Sequence, residues 1–292
     1  TGVQTCALPI LHPTDALSSP TLKHLREEWW NDEFTDFLRE TLRPRPGNRI
    51  LDVGCRRGVA EVAIGRLQLS QVRQHGIDLR LDHVAEAKRE VESHNIRAAL
   101  TVGDTCRLPY RDASFDAVFC VAVLQLVSEV HTAIREIARV TRPNGRLLVV
   151  EPDNSARITH SSLPSGRAAF AAAARFFAST TAQRGNDAAM GIGPMVPSLF
   201  AAHGIEATDV RLFPVTLVQL GAPEEEIWME RRQSVERALA AVTSNEARAD
   251  GAAYLSALET YAAEARAAGP AFVEIQNTLL FATVGQRRDN RG

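Results

Sequence analysis

Between residues 48 and 152 the chain alternates short apolar runs with segments whose apolar positions recur every three to four residues. Short apolar runs bounded by turn residues read as buried strands, and the longer period reads as helices with one buried face. The predicted strands are Arg49 to Val53, Gln71 to Asp78, Ala98 to Val102, Ala117 to Val121 and Gly145 to Glu151, with helices over 58–68, 82–93 and 129–141 between them. Strand and helix in alternation predict a parallel α/β sheet. Pro143-Asn-Gly145 supplies the stop and turn after the last of these helices.

On either side the pattern changes. Thr21 to Leu42 is amphipathic, carries Trp29, Trp30, Phe34 and Phe37, and closes on Arg43-Pro-Arg-Pro-Gly47. It reads either as a lid over a pocket or as a helix packed on the sheet edge. After Glu151 the chain turns alanine-rich, with a helix around Arg167 to Phe177 and a Gly/Pro-containing connector through Pro197. A helix from Pro197 to His203, a turn at Gly204 and a strand from Ile205 to Gln219 follow. A long helical region from Pro223 to Ala268, with breaks near Asn245 and Gly251, precedes a closing strand from Phe272 to Val284. The expected organisation is a helical N-terminal extension over 11–47 and a Rossmann-like core over 48–152. Residues 153–292 add helical cap insertions and the last two strands of the same domain. Residues 1–10 fit no periodic element and match one reading frame of a common sequencing-library adapter. We read them as an artefact joined to a truncated gene.

Bulk properties narrow the function. The 292 residues are 45% apolar, enough for a full core, and the net charge of -2 without a long Lys/Arg cluster argues against nucleic-acid partners. The longest apolar runs, such as Ala117 to Val127, fall short of the roughly 20 residues a membrane-spanning helix needs, so the expectation is a soluble protein. With Cys6 set aside, Cys55, Cys106 and Cys120 form neither a CxxC pair nor a zinc spacing, which fits a reducing cytoplasm. The histidines show no metal-like spacing, so no metal is expected.

The chemistry gathers at the carboxyl ends of successive strands, where open α/β sheets place their ligands. The first strand runs through Asp52 into Gly54, Cys55, Arg56 and Gly58, a glycine loop that lets backbone approach a ligand. Arg56 stands where a further glycine is expected. Asp78 and Leu79 end the second strand about 20 residues on, where a carboxylate can accept from both hydroxyls of a ribose. Asp104 and Thr105 follow the third strand and can meet an exocyclic amine. Cys120 and Val121 end the fourth.

In these residues the chain resembles the class I S-adenosylmethionine-dependent methyltransferases, most closely the small-molecule branch around the ubiquinone/menaquinone-biosynthesis C-methyltransferases. The resemblance rests on Ile50-Leu-Asp-Val-Gly-Cys, Gly76-Ile-Asp, Gly103-Asp with Leu108-Pro, Ser114-Phe-Asp-Ala-Val, and the stretch from Arg135 to Pro152. It implies a seven-stranded sheet of order 3-2-1-4-5-7-6 with the last strand antiparallel, S-adenosyl-L-methionine as cofactor, and methyl transfer to oxygen, carbon or nitrogen of a small acceptor. It also implies that Gly54 and its neighbours pack on the methionine part, Asp78 binds ribose, Asp104 with Thr105 faces adenine, and Cys120-Val121 lies by the sulfonium. Asn144 stands for a frequent glycine and Gln125 for a frequent histidine. Glu151 and His160 are the candidate bases. Arg56 and Gln125 motivate the alternative of a binding protein that kept the fold and lost the cofactor. An NAD-dependent dehydrogenase is disfavoured because the complete Gly-x-Gly-x-x-Gly is absent.

Overall fold

A computed structural model describes residues 30–66, 72–183 and 191–289; residues 1–10, Trp29 and the expected helix start at Thr21 lie outside them. In chain order the elements are α1 (Asp32–Leu42), β1 (Arg49–Val53), α2 (Val59–Arg66), β2 (Arg73–Asp78), α3 (Leu81–Ser93), β3 (Ala98–Val102), β4 (Phe115–Val121), α4 (Val130–Val140), β5 (Thr141–Ser161), α5 (Pro164–Gln183), α6 (Ile192–Ala202), β6 (Ile205–Leu220), α7 (Glu225–Ala240), α8 (Asn245–Ala268) and β7 (Val273–Arg287). The seven strands form one sheet of order β3-β2-β1-β4-β5-β7-β6. Only β7 runs against its neighbours. This is the topology the resemblance implied.

The Asn31 side chain caps α1 by accepting from Phe34 N–H at 2.9 Å, which sets Phe34, Phe37, Leu38 and Leu42 on one buried stripe. The stripe packs on a face of the sheet against Ile50, Phe119, Leu148 and Leu280, with Phe213 of β6 edge-on to Phe34 at 5.5 Å. The described part of this segment therefore lies on the sheet.

β5 departs most from the sequence reading. It was expected over Gly145 to Glu151 and spans Thr141–Ser161. At its start the Pro143-Asn-Gly145 turn is absorbed as an irregularity, because pairing with β4 jumps from Phe115↔Thr141 to Ala117↔Arg146 and Asn144 adopts φ 61°. Beyond Glu151 the strand continues through a second irregularity between Asp153 and Ile158 and pairs with β7 up to Ser161↔Glu274. Because β5 is parallel to β1–β4, this continuation rises past their carboxyl ends. The first half of β7 and the second half of β6 pair along it, forming a three-stranded wall beside the ligand edge. His160, expected in a connector, is thus a strand residue.

Helices α5, α7 and α8 pack together around Phe176, Trp228, Tyr254, Tyr261 and Phe272. The break at Asn245 exists, capped by Ser244, which accepts from Ala247 N–H at 3.1 Å. The break at Gly251 does not: it lies inside α8, and a Cβ there would collide with Leu239 and crowd Phe176, so close helix packing selects glycine. Helix α6 begins ahead of its expected start and contains Pro197; Ile192, Val196, Leu199 and Phe200 form its buried face. Among the described residues no helix is long and apolar enough to cross a membrane.

Candidate active site

The loop after β1 is held by β2. Gly54 N–H and Cys55 N–H both donate to Ile77 O, at 2.7 and 3.0 Å, and Gly58 N–H closes the turn on Cys55 O at 2.9 Å. Gly54 sits at φ 88°, and a Cβ there would collide with Val123, so the turn after β4 presses directly on the glycine loop. Arg56 adopts φ 45°, the left-handed region that glycine enters without penalty. The sequence anomaly is thus also a backbone anomaly, with the arginine side chain partly exposed. Arg56→Gly is expected to leave the fold intact and raise the unfolding free energy by up to about 1 kcal/mol, since relief of strain outweighs the entropy of the glycine-bearing unfolded chain. Urea denaturation of both proteins checks this; a clear loss of stability would mean that arginine contacts outweigh the strain.

Arg56 N–H also donates to Asp78 Oδ2 at 3.1 Å, joining the glycine loop to the end of β2. Asp78 Oδ1 accepts from Arg80 N–H at 2.9 Å and lies 3.1 Å from His83 Nδ1. Burial pushes this carboxyl up, but the bonds from His83, Arg80 and Arg56 outweigh it and hold its pKa below the ordinary value. The group is an ionised acceptor with roughly four lone-pair directions, of which three are engaged. His83 was not singled out in the sequence. Its only signal was its place in the first turn of α3, just behind a strand-terminal acid. Leu79 is half-buried in the bend beyond Asp78.

Asp104 and Thr105 follow β3 beside Asp78: Gly103 N–H donates to Asp78 O at 2.9 Å, and Asp104 Oδ1 accepts from Cys106 N–H at 2.8 Å. Cys120 pairs with Val53 of β1 and Val149 of β5, and its side chain is sealed in the core, where burial pushes the thiol pKa up. Cys55 is buried as well, and its thiol is raised for the same reason. Neither thiol is a nucleophile at neutral pH. Val121 is half-buried at the end of β4.

Glu151 is fully buried. Its Oε1 accepts from Val123 N–H at 2.8 Å and Leu124 N–H at 2.6 Å, and its Oε2 from Gln125 N–H at 3.4 Å. Burial raises its pKa to about 7 against the lowering effect of these bonds. The carboxylate therefore fixes the turn whose Val123 rests on Gly54. His160 is exposed, pairs with Ile275, and stands well along the wall from Glu151; the two candidate bases are not brought together.

Two further features were missed. Glu61 is buried near Asp52, itself buried and already singled out, and among the described residues neither oxygen of Glu61 has a hydrogen-bond partner. Burial, then Asp78, push Glu61 up to about 8, and burial, then Glu61 and Asp78, raise Asp52. A carboxylate among Ala60, Val62 and Ile64 was the available signal. The second is a polar chain at the other end of the edge. Arg157 Nη2 donates to Asn154 Oδ1 at 2.9 Å, and Asn154 Nδ2 to Gln125 Oε1 at 3.0 Å.

Residues 51–149 match the family model described as methyltransferase domain. Over 137 residues the chain is 34% identical to 27-O-demethylrifamycin SV methyltransferase of Amycolatopsis mediterranei, covering 43% of this chain and 50% of that protein. Over 112 residues it is 37% identical to the demethylmenaquinone methyltransferase of Beutenbergia cavernae, covering 38% and 44%. The chain spans about half the length of the curated relatives it matches. Among solved structures, the YcgJ protein of Bacillus subtilis superposes with a TM-score of 0.54 at 18% identity, covering 89% of this chain and all of that one. The [4+2]-cyclase SpnF superposes at 0.50 and 19% identity, covering 97% and 98%. Such identities show the fold alone, and since a protein titled a cyclase shares it, the fold does not by itself assign the reaction. The resemblance of this chain to the class I S-adenosylmethionine-dependent methyltransferases, read first from its sequence, is borne out by the methyltransferase-domain match over residues 51–149, by relatives and by sheet order alike.

Proposed function

We propose that this protein transfers a methyl group from S-adenosyl-L-methionine to an oxygen, carbon or nitrogen of a small organic acceptor. The observation that carries this reading is the joint between Arg56 N–H and Asp78: an ionised carboxylate clamped to the glycine loop, at the strand ends where such sheets bind nucleosides. The residues fit the cofactor. Asp78 keeps a lone-pair direction for a ribose hydroxyl and gains a second if His83 turns away. Asp104 with Thr105 stands next to it on the adenine side, and Asp52, Gly54, Cys55, Arg56, Gly58 and Leu79 form the loop and bend below.

Held by Asp78 and the glycine loop, the cofactor would supply an electrophilic sulfonium methyl group, with S-adenosylhomocysteine as the leaving group and the acceptor's proton passing to water. The protein's task is alignment, and a general base is not required. Glu151 belongs to that task as a positioning residue, because its oxygens hold the turn at Val123 to Gln125. His160 stands too far out on the wall to share it. Residues 153–292, as cap and last strands, would enclose the acceptor. A cytoplasmic setting suits the free thiols of Cys55 and Cys120.

Calorimetric titration with S-adenosylmethionine and S-adenosylhomocysteine tests the reading, followed by a mass-spectrometric screen of phenols, quinones and polyketide-like acceptors for gain of a methyl group. No heat at sub-millimolar cofactor would favour the binding-protein alternative. Asp78→Ala is expected to weaken cofactor affinity about 10- to 100-fold, the worth of charge-assisted bonds to a diol. Unchanged affinity would remove Asp78 from the site.

A further inference from the structure

Arg157 lies in the irregular stretch of β5 between Asp153 and Ile158, beyond the carboxyl ends of the parallel strands. Among the described residues its guanidinium makes one hydrogen bond, from Nη2 to Asn154 Oδ1, and its Nε is buried with no acceptor. Among the described residues no carboxylate pairs with it. Asp153, the nearest acid in sequence, turns its Oδ1 to Ser155, accepting from both N–H and Oγ–H. Burial alone lowers the arginine pKa to about 10. Asn154 in turn donates to Gln125 Oε1, and Gln125 Nε2 reaches Ala122 O at 3.5 Å. The chain of contacts therefore ends on the turn after β4, across the sheet edge from Asp78.

Arg157 is half-buried, and a cation partly withdrawn from water without a counter-charge beside it carries a cost that is recovered when an anion arrives to pair with it. The guanidinium fork matches two oxygens of one group. Resting on the methyl-transfer reading above, we propose that Arg157, steadied by Asn154 and Gln125, recognises an oxyanion of the acceptor, so that the acceptor is an organic acid bearing a carboxylate or an ionised phenol or enol. The acceptor then lies between this cation on the β5 side and the cofactor on the β1–β3 side. Gln125, where the resemblance implies histidine, becomes a support for the specificity residue.

The test uses the full chain saturated with S-adenosylhomocysteine and titrated with benzoate and with its neutral analogue benzamide. Benzoate is expected to bind at least about 10-fold tighter, the worth of a charge-assisted pair. Arg157→Met should abolish that preference, and Arg157→Lys, which keeps the charge without the fork, should retain part of it. Gln125→Leu, which unseats Asn154, should weaken benzoate several-fold and serves if Arg157→Met does not fold. Equal binding of the two probes by the unsubstituted chain, including no binding of either, overturns the proposal. So does a benzoate preference that survives Arg157→Met or, where that variant does not fold, unweakened benzoate binding by Gln125→Leu. If S-adenosylhomocysteine itself gives no heat, the methyl-transfer reading fails instead, and the benzoate comparison on the bare chain still decides the role of Arg157.

Discussion

Replacing Arg231 with methionine is expected to lower the unfolding free energy by about 3–5 kcal/mol, the usual loss when one partner of a buried ion pair is removed. Arg231 on α7 and Glu274 at the start of β7 are 4% and 3% exposed and share two hydrogen bonds, at 3.0 and 2.7 Å. Glu274 also accepts from Tyr261 Oη at 2.8 Å, and Tyr261 reaches Ser161 Oγ at 2.9 Å, so the network ties the helical cap to the top of the wall. The guanidinium lies over the Trp228 ring at 4.8 Å. Without Arg231, a carboxylate stays buried among aromatic rings with only Tyr261 and Gln276 to satisfy it.

The sign of the pH dependence follows from Glu274. Burial pushes its pKa up, but Arg231 outweighs this and holds it below the ordinary value, so the pair adds stability above pH 4.5 and loses it as pH falls. In Arg231→Met burial wins, and the deficit should be larger at pH 7 than at pH 4. Arg231→Met combined with Glu274→Leu should recover most of the loss, since an apolar replacement of both partners leaves no stranded charge. A double variant as unstable as the single one would show that packing on Trp228, rather than charge, is what Arg231 contributes. Urea denaturation at the two pH values reads all of this.

Glu61→Gln should flatten the pH dependence of stability. The Glu61 carboxyl is pushed up to about 8 by burial and by Asp78, and the nearby Asp52 carboxyl is raised as well. Folding therefore takes up protons into this pair. A carboxyl raised from 4.5 to about 8 costs nothing at acid pH, and its cost grows as pH rises through that window. At full development the cost is on the order of 5 kcal/mol. The unsubstituted protein should lose stability between pH 5 and about pH 8, while the glutamine variant loses less, keeping the share due to Asp52 and Glu151. The slope is the readout, since the buried amide shifts the level at every pH. Equal slopes for the two proteins would place the proton elsewhere. Glu61 packs over Gly76 and next to Cys55, beneath the glycine loop.

Much of this was legible in the chain. That β2 ends on Asp78 and β3 just before Gly103-Asp104 follows from apolar runs that give way to polar residues, since an unpaired charge is costly to carry into the core. The missing glycine at Arg56 was visible as a gap, and the structure adds that the residue bears the conformation glycine would have taken freely. The extent of β5 was not legible. Asp153 to His160 carries polar and charged residues without alternation, and only pairing with the first half of β7 makes it a strand. The glycine at 251 read as a break because local pattern does not register a neighbouring helix.

By itself, then, the sequence determined the α/β core, the strand order implied by its motifs, and which acids stand at the carboxyl edge. The core and its acids depend on local periodicity and on where apolar runs meet polar residues, while the strand order came with the family resemblance. Only the tertiary structure decided that Glu151 fixes a turn, that His160 stands away from it, and that, among the described residues, Glu61 lies unpartnered beneath the glycine loop and Arg157 meets Asn154 but no carboxylate. Burial and pairing of a charge are set by residues distant in sequence, and a pattern along one chain does not contain them.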